Sequence, residues 1–543
     1  MNEAGKPLWW QTGVIYQVYP RSFQDSNGDG IGDLNGVIQR LDYLHALGID
    51  ALWLSPFYPS PMADFGYDVA DYVDVDPIFG TLADFDRLVS EAHRRDLRII
   101  IDIVPNHSSA EHPWFKESRP SRTSPKRDWY VWADAKPDGS PPNNWLSNFG
   151  GSAWEWDEAT GQYYLHSFLP EQPDLNWRNP ALRQAMFDAI RFWLDRDVDG
   201  LRIDVAHAVM KDPDLRDDPP NPDPAAAFKP MGDYNSLLHI HSKGHADTHG
   251  VYRELRQILD SYSTGERPRF AVGEIHLFDW LEWASYYGAD LDELHMPYNF
   301  SLLFAPWSAQ AVRKVIDEVD RAVPPGGWPN FVLSNHDEHR LASRIGVEAA
   351  RGAMLLLLSL RGTPTIYYGE ELGMEDVPIP PELEQDPWGL RVQGVGVGRD
   401  PERTPMQWDS SANAGFADAG VHPWLPVAAD YQTNNVAAQE QDPCSMLSLT
   451  RCLLALRRAT PALHAGGYQS IDQANDQCFL FERRAGSDRW WVAINFSGSE
   501  QVVKLPGGNG VVRVSTHMDR DEALSSAAFR LRPHEGCLIQ VSA

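Results

Sequence analysis

The chain has little cysteine and no long apolar run. Four of its 543 residues are cysteine, and they lie at positions 444, 452, 478 and 537. Their spacing matches no metal-binding motif, so we expect free thiols in a reducing compartment. The longest apolar run, at 353–360, is too short to span a bilayer. Residues 1–10 lack the basic and apolar regions of a secretory signal. These absences predict a cytoplasmic protein that does not enter the membrane.

Positive charge is also scarce. The 47 Lys and Arg residues face 76 Asp and Glu residues, which gives a formal net charge of −29. A field of this sign repels phosphate backbones, so we expect no nucleic-acid partner. A neutral small molecule is unaffected by it. Composition leaves the oligomeric state open between a monomer and a homodimer.

Short apolar runs of strand length recur through the first 370 residues, with helical patterns between them. Runs that are apolar at nearly every position are typical of parallel strands buried on both faces. Eight strands alternating with helices predict an α/β fold, a (β/α)₈ TIM barrel. The predicted strands are Val14–Pro20, Ala51–Pro56, Arg98–Val104, Gly200–Val205, Arg269–Ile275, Glu293–Asn299, Asn330–Asn335 and Thr363–Gly369.

Two of the intervening helices carry clear start signals. Thr81 can cap a helix whose Phe85, Leu88 and Ala92 share one face. Asn179 precedes Pro180, which is an N-cap followed by proline at the first helical position.

Three segments do not fit the barrel repeat. Residues 107–177 are too many for one connection and predict an inserted subdomain after strand 3. Residues 371–430, rich in Pro and Gly, predict a second insertion after strand 8. Residues 461–543 predict a C-terminal antiparallel β-domain, because apolar and polar side chains alternate in Cys478–Phe481, Trp490–Asn495, Gln501–Leu505 and Cys537–Val541. The barrel itself is assigned to 1–106 and 178–460.

Polar side chains cluster where the predicted strands end. Reactive groups of a TIM barrel lie at the C-terminal ends of its strands. Any one such residue is more often a turn former or a helix cap, but independent structural roles for all of them on one face would be a coincidence. The strand-end residues are Asp102, His107, Arg202, Asp204, Glu274, His336 and Asp337.

Paired carboxyl groups at one barrel mouth indicate glycoside cleavage. One carboxylate attacks the sugar or activates water, while the other protonates the leaving oxygen. The acid needs burial or a neighbouring anion to raise its pKa. Arg202 lies two residues before Asp204 on the same strand, so we expect it to keep Asp204 ionised.

Six motifs in barrel order resemble the α-amylase superfamily of glycoside hydrolases (family 13), in its oligo-1,6-glucosidase and α-glucosidase branch. Each motif alone is weak, but together they cover the whole chain. They are Asp102-Ile-Val-Pro-Asn-His107, Gln172-Pro-Asp-Leu-Asn-Trp177, Gly200-Leu-Arg-Ile-Asp-Val205, Gly273-Glu-Ile275, Ser334-Asn-His-Asp337 and Arg403-Thr-Pro-Met-Gln-Trp408.

The resemblance implies catalytic roles for three acids. Asp204 would be the nucleophile and Glu274 the acid/base. Asp337 would hold the sugar hydroxyls and favour a distorted ring. Arg202 would orient Asp204.

The resemblance also implies the residues that bind the terminal glucose. His107 and His336 would donate hydrogen bonds to it, Tyr67 would stack on it, and Phe168 is a further candidate contact. Asp68, in Gly66-Tyr67-Asp68, and Arg399, in Gly398-Arg399-Asp400, resemble the pair that closes the pocket behind it. Such a pair predicts action on chain ends, hence a glucosidase that uses small oligosaccharides.

The loop from Asp25 to Asp33 places oxygen atoms on alternate residues, like the first half of an EF-hand. Its twelfth position is Gly36 rather than Glu, which excludes a true EF-hand. The family resemblance implies a structural Ca²⁺ held by Asp25, Asn27, Asp29, Asp33 and the carbonyl of Ile31. The alternative is a metal-free loop of Asx turns.

Linkage preference depends on weaker signals. In similar enzymes Val after the nucleophile accompanies activity on α-1,6 bonds, and Val205 stands there. We expect activity on α-1,6 bonds together with some activity on α-1,4 bonds. Two alternatives stay open: a transglucosylase or a sucrose- or trehalose-active enzyme with the same residues, and, more remotely, a non-catalytic family member.

Overall fold

A computed structural model describes residues 7–507, 509–524 and 526–542. Eight parallel strands form one sheet, in the order β10-β11-β1-β2-β3-β7-β8-β9, that curls into a nearly closed barrel. This confirms the predicted TIM barrel. The barrel strands are β1 (Ile15–Val18), β2 (Ala51–Leu54), β3 (Arg98–Ile103), β7 (Gly200–Ile203), β8 (Phe270–Glu274), β9 (Met296–Tyr298), β10 (Asn330–Val332) and β11 (Thr363–Tyr367).

Each barrel strand ends earlier than its apolar run predicted. The first run was predicted to continue to Pro20, but β1 ends at Val18 and a short helix begins at Pro20. Proline has no N–H to donate to a strand, and its fixed φ suits the first position of a helix. The residues beyond each strand form the loops at the barrel mouth.

Helices pack around the barrel, and the two predicted starts are confirmed. The Thr81 side chain accepts from the N–H of Asp84, and the Asn179 side chain accepts from the N–H groups of Ala181 and Leu182. The α-helices of the described residues are α1 (Trp9–Thr12), α2 (Pro20–Phe23), α3 (Leu34–Gln39), α4 (Leu41–Leu47), α5 (Leu82–His93), α6 (Pro113–Ser118), α7 (Pro180–Leu194), α8 (Thr248–Tyr262), α9 (Trp280–Ser285), α10 (Ser301–Phe304), α11 (Ala309–Ala322), α12 (Leu341–Ile345), α13 (Val347–Ser359), α14 (Pro387–Arg391), α15 (Val436–Gln439), α16 (Met446–Ala459) and α17 (Pro461–His464).

Alternate side chains of the barrel strands supply two different cores. One set, including Ile15, Trp53, Ile100 and Val272, fills the barrel interior. The other set belongs to the larger core shared with the surrounding helices. Burial on both faces explains why the strands are apolar at successive positions.

The two segments predicted as insertions border the barrel mouth. Within 107–177, β4 (Trp132–Ala133), β5 (Trp154–Asp157) and β6 (Gln162–Leu165) form an antiparallel sheet in the order β4-β6-β5. Within 371–430, α14 and short 3₁₀ helices, one of them Asp400–Glu402, alternate with irregular chain.

Among the described residues, eight strands follow α17. Six of them form one sheet, in the order β12-β13-β14-β19-β16-β17, and β15 pairs with β18. Four of them, β12, β16, β17 and β18, were not predicted as strands. The strands are β12 (Gly467–Ile471), β13 (Cys478–Ala485), β14 (Asp488–Asn495), β15 (Gln501–Lys504), β16 (Gly510–Ser515), β17 (Ala523–Leu524), β18 (Ala528–Leu531) and β19 (Gly536–Val541).

Two predicted absences can be compared with the structure. In the described parts of the chain, no helix has both the length and the apolar character needed to cross a bilayer. All four cysteines are free thiols, and Cys478 and Cys537 are buried.

Gly200 permits close packing at the start of β7. A Cβ atom there would lie 2.2 Å from Cε1 of the fully buried Phe270. We expect Gly200→Ala to lower the free energy of unfolding by about 1–3 kcal/mol, because the ring cannot move aside in a packed core. The matched control is Gly265→Ala, since no atom lies within 4 Å of that Cβ position. Thermal unfolding of both variants checks this, and equal midpoints would contradict it.

Candidate active site

Eight of the ten residues predicted to act on substrate line one cavity at the barrel mouth. The other two do not line it: Arg202 lies beneath the cavity and is 1% exposed, and Asp68 lies outside it. The eight that line it are Tyr67, His107, Phe168, Asp204, Glu274, His336, Asp337 and Arg399.

Arg202 joins three carboxylates from three neighbouring strands. Its Nη1 donates to both oxygens of Asp102, at 2.9 and 3.0 Å, and to Oδ1 of Asp204, at 2.7 Å. Its Nη2 donates to Oε2 of Glu274 at 2.5 Å. Asp102 lies opposite Arg202 in the register of β3 and β7, while Glu274 ends β8. The sheet therefore delivers both catalytic candidates to one guanidinium group.

Asp102 is the structural partner of this arginine. Its Oδ2 also accepts from Nε1 of Trp53, at 3.2 Å, and from the hydroxyl of Tyr67, at 3.0 Å. Burial raises the pKa of Asp102 to about 6, although Arg202 opposes the shift. Asp102 thus fixes Arg202 from below without reaching the cavity.

Glu274 has further polar contacts. Its Oε2 accepts from the N–H of Val205 at 3.0 Å, and its Oε1 lies 2.9 Å from Nε2 of His276. Burial raises the pKa of Glu274, but Arg202 and His276 outweigh burial and leave that pKa below its ordinary value.

Asp204 behaves differently from the expectation that Arg202 alone would keep it ionised. Burial raises the pKa of Asp204 well above its ordinary value, Arg202 opposes the rise, and Glu274, Asp102 and Asp337 add to it. The arginine is shared with two other acids, so its charge does not compensate Asp204 alone.

Val205 has an unusual backbone. Its φ and ψ are 34° and 48°, in the left-handed region that β-branched residues rarely adopt. This conformation directs its N–H to Glu274, while its side chain lines the cavity.

Asp337 is held by two other arginines. Its Oδ1 accepts from Nη1 of Arg399, at 3.1 Å, and from Nη2 of Arg403, at 2.9 Å. Its Oδ2 lies 3.3 Å from Nε2 of His336. Burial raises the pKa of Asp337, but His336, Arg399 and Arg403 bring that pKa below its ordinary value. Asp337 is therefore a carboxylate at neutral pH.

The two predicted sugar-binding histidines are buried and neutral. Burial lowers the pKa of His107 to about 4 and that of His336 to about 3. The ring of His336 is nearly parallel to that of Tyr67, with centroids 5.3 Å apart. His107 lies 3.1 Å from the carbonyl of Tyr67. A neutral ring adds no charge to the cavity and has one N–H to donate, which in His107 faces the carbonyl of Tyr67.

The predicted Asp68–Arg399 pair is wrong, because Asp64 stands where Asp68 was expected. Nη2 of Arg399 donates to Oδ1 of Asp64 at 2.7 Å. The Asp68 carboxylate instead accepts from the N–H groups of Ala63 and Asp64 and from the hydroxyl of Ser60. Asp68 closes its own loop, and that closure turns Asp64 towards Arg399.

The loop from Asp25 to Asp33 is organised by its own amides. Asp25 accepts from the N–H groups of Asn27, Gly28 and Gly30, and Asp29 accepts from that of Ile31. Asp33 accepts from Ser26 and caps α3 through Gly36. Within the described ranges, Asp25, Asp29 and Asp33 form no ion pair with a basic side chain. The oxygens keep free lone pairs and uncompensated charge, which suits a cation.

Comparison with known proteins decides the family. The model described as "Alpha amylase, catalytic domain" matches residues 17–466. The chain belongs to the alpha-amylase family.

Two curated relatives of this family member extend over nearly the whole chain. A protein named probable alpha-glucosidase from Rhizobium meliloti (strain 1021) is 46% identical over 524 residues, covering 93% of this chain and 94% of the relative. An oligo-1,6-glucosidase from Parageobacillus thermoglucosidasius is 38% identical over 573 residues, covering 98% and 99%.

Solved structures of alpha-amylase family enzymes match the fold closely. An alpha-glucosyl transfer enzyme, XgtA, superposes with a TM-score of 0.93 at 41% identity, covering 99% of this chain and 100% of that one. The trehalulose synthase MutB from Pseudomonas mesoacidophila MX-45 gives a TM-score of 0.89 at 36% identity, covering 99% and 100%. The chain is accordingly an enzyme, a glycoside hydrolase of family 13.

Several side chains of this family member's site were not predicted as site residues. Asp64 lies three residues before Tyr67 in the same loop, and His276 lies two residues after Glu274, so nearness to a motif was the available signal. Asp386 accepts from Arg399 at 2.6 and 2.8 Å but lies in the second insertion, where no motif marks it.

Asp64 and Asp68 can be separated by experiment. Asp64→Asn removes a charged group from the cavity lining, so we expect kcat/KM on an α-glucoside to fall by about 10- to 100-fold. Arg399 still pairs with Asp337 and Asp386, so we expect little change in melting temperature. Asp68→Asn weakens a buried loop closure, so we expect a lower melting temperature and a smaller loss of kcat/KM. Steady-state kinetics with thermal unfolding measure both, and an Asp64→Asn variant with full kcat/KM would contradict the reassignment.

Proposed function

We propose that the protein is an exo-acting retaining α-glucosidase. It hydrolyses terminal α-glucosidic bonds, α-1,6 and/or α-1,4, of short oligosaccharides through a covalent glucosyl intermediate on Asp204. The observation that carries the proposal is one guanidinium, that of Arg202, bound to both Asp204 and Glu274 in a cavity that Asp64 and Arg399 also line.

The bridge by Arg202 favours retention over inversion. Carboxyl groups of retaining glycosidases lie about 5 Å apart, whereas inverting enzymes separate them by roughly 6.5–9.5 Å to admit a water molecule. Two carboxylates on the Nη atoms of one guanidinium have no room between them for both a sugar ring and an attacking water.

The proposed reaction has two steps. An oxygen of Asp204 attacks the anomeric carbon while Glu274 gives its proton to the glycosidic oxygen, so the aglycone leaves as an alcohol. Glu274, now a carboxylate, removes a proton from water, the water oxygen bonds to the anomeric carbon, and Asp204 is released.

Asp204 and Glu274 together need one proton for the first step, and that proton must lie on Glu274 when substrate is bound. Burial favours a proton on Asp204 in the empty cavity, and Arg202 with His276 favours ionised Glu274. A bound glycosidic oxygen accepts a hydrogen bond from protonated Glu274, and positive charge developing on the sugar favours ionised Asp204. Both effects move the proton from Asp204 to Glu274.

Asp337 and the Asp64–Arg399 pair support action on a chain end. Asp337 is an ionised acceptor held at fixed geometry by Arg399 and Arg403, which suits it to bind sugar hydroxyls. The ion pair between Asp64 and Arg399 presents charge where a further sugar unit would have to pass. One terminal glucose unit therefore fits the closed end.

Two further points concern which glycosidic linkage is cleaved and whether water or another acceptor takes the glucosyl group. Val205 lines the cavity beside Glu274, and its apolar side chain is consistent with α-1,6 bonds. The resemblance to an alpha-glucosyl transfer enzyme and a trehalulose synthase favours a second candidate, in which a sugar or alcohol intercepts the glucosyl intermediate in place of water.

A product time course on isomaltose, maltose, sucrose and trehalose tests this function. We expect both isomaltose and maltose to be cleaved. On p-nitrophenyl α-glucoside, which releases a single glucose, we expect the first glucose seen by NMR to be the α-anomer. Asp204→Asn, under the same conditions, should lose at least about 10⁴-fold in kcat. β-Glucose as the first product from p-nitrophenyl α-glucoside would overturn retention, and cleavage of maltose alone would overturn the α-1,6 proposal. Transfer products that dominate at low substrate would favour the second candidate.

We also propose that the loop from Asp25 to Asp33 holds one structural Ca²⁺. The side chains of Asp25, Asn27, Asp29 and Asp33 and the carbonyl of Ile31 would be the ligands. The support is a set of hard oxygen donors fixed by loop amides and lacking a basic partner.

Calcium removal should destabilise the fold. A chelator should lower the melting temperature, and excess Ca²⁺ should restore it, because a ligand that binds only the folded state stabilises it. Asp29→Ala should melt at the lower temperature with or without chelator. A wild-type melting temperature unaffected by chelator would contradict the proposal.

A further inference from the structure

A second group of potential metal ligands lies beside the cavity and away from the Asp25–Asp33 loop. It consists of His339, Asp376 and Glu402, whose ligand atoms all lie within 4.8 Å of one another. The three come from different segments: His339 follows β10, Asp376 follows β11, and Glu402 ends the 3₁₀ helix Asp400–Glu402.

Distances in this group approach those around a bound metal ion. Nδ1 of His339 lies 2.9 Å from Oδ2 of Asp376 and 3.7 Å from Oε2 of Glu402. Ligands at 2.0–2.2 Å from one ion stand about 3–3.5 Å apart. Small side-chain rotations would therefore bring the three atoms to a common centre.

The burial of Glu402 is an independent indication that its carboxyl group needs a bonding partner within this group of ligands. The residue is 1% exposed, and its Oε2 has no hydrogen-bond partner in the described part of the chain. A buried carboxylate oxygen without a partner is costly.

Nearby basic side chains do not bond to Oε2 of Glu402, although the charges of Arg403 and Lys229 act on that carboxyl group. Nη1 of Arg340 donates to the carbonyl of Tyr368, and Nζ of Lys229 pairs with Glu338 at 2.7 Å. Within residues 7–507, 509–524 and 526–542, no Lys or Arg forms an ion pair with Asp376 or Glu402.

The surroundings of the group resemble those of a protein metal site. Oδ1 of Asp376 accepts from the N–H of Arg340 at 2.8 Å, which leaves Oδ2 directed at His339. The His339 side chain is 50% exposed, so solvent can reach the group and supply further ligands. Ligands oriented by outer hydrogen bonds, with one open side, are typical of metal centres.

We propose that His339, Asp376 and Glu402 bind one divalent first-row transition-metal cation, of the class of Mn²⁺ or Zn²⁺. One imidazole nitrogen and two carboxylate oxygens suit these ions better than the all-oxygen preference of Ca²⁺. The cation would supply the missing partner of Glu402.

Such an ion would join two parts of the active site. His339 lies two residues after Asp337, and Glu402 lies between Arg399 and Arg403, which hold Asp337. Metal at this position would fix the segment carrying the arginines against the segment carrying their carboxylate.

Manganese titration followed by electron paramagnetic resonance tests the proposal on the full chain. The protein is stripped with chelator and kept in saturating Ca²⁺, so that the Asp25–Asp33 loop does not compete. We expect one Mn²⁺ to bind per chain and the melting temperature to rise with Mn²⁺ concentration. His339→Ala and Glu402→Gln should each weaken this binding by at least about tenfold, and Glu402→Gln keeps the side-chain shape.

A matched control distinguishes the site from the acidic surface. His517 is exposed and also lies near a carboxylate, Glu535, so His517→Ala should bind Mn²⁺ like the wild type. Asp29→Ala should also retain this binding. Only weak binding at many sites, or one-to-one binding that survives both His339→Ala and Glu402→Gln, would overturn the proposal.

Discussion

The active site depends on one buried arginine shared by three acids. Arg202 contacts Asp102, which lies opposite it on β3, Asp204, which lies two residues later on its own strand, and Glu274, which ends the neighbouring β8. Breaking a buried ion pair on one side leaves an uncompensated charge, so the arrangement holds only as a whole. Asp102 fixes the guanidinium from below, and the two acids that face the cavity are thereby held close together. If Asp204 and Glu274 carry two protons between them, the nucleophile is lost, and if they carry none, the acid is lost.

A second group of charges closes the other side of the cavity. Arg399 binds Asp64, Asp337 and Asp386, and Arg403 also binds Asp337. The barrel supplies Asp337, but the arginines come from the insertion after the last strand. The barrel strands thus position Asp204 and Glu274, whereas loops outside the repeat supply the arginines that hold Asp337 on the other side of the cavity. Substrate range can then change through these loops without disturbing Arg202.

The fold was predictable from the sequence in more detail than the chemistry of the site. Apolar runs located all eight barrel strands, because burial on both faces leaves a strong signal, and strand-end positions located Asp204 and Glu274. Asp64 was missed because Asp68 belongs to the motif Gly66-Tyr67-Asp68. Only the folded loop shows which of the two carboxylates turns towards Arg399. The raised pKa of Asp204 could not be predicted either, because it depends on how three acids share one guanidinium group. Four C-terminal strands were missed; β12 has no buried position, β17 is only two residues long, and β18 alternates over only four residues.

The most direct test of this account is to trap the sugar on the enzyme. A 5-fluoro-α-glucosyl fluoride has a good leaving group, and its second fluorine slows hydrolysis of the intermediate by withdrawing charge from the oxocarbenium-like transition state. Mass spectrometry of peptides from the inactivated protein should find one fluoroglucosyl group, on the peptide containing Asp204 and on that side chain. The Asp204→Asn variant should carry none. A label on Glu274, or continued turnover with no covalent adduct, would contradict the account.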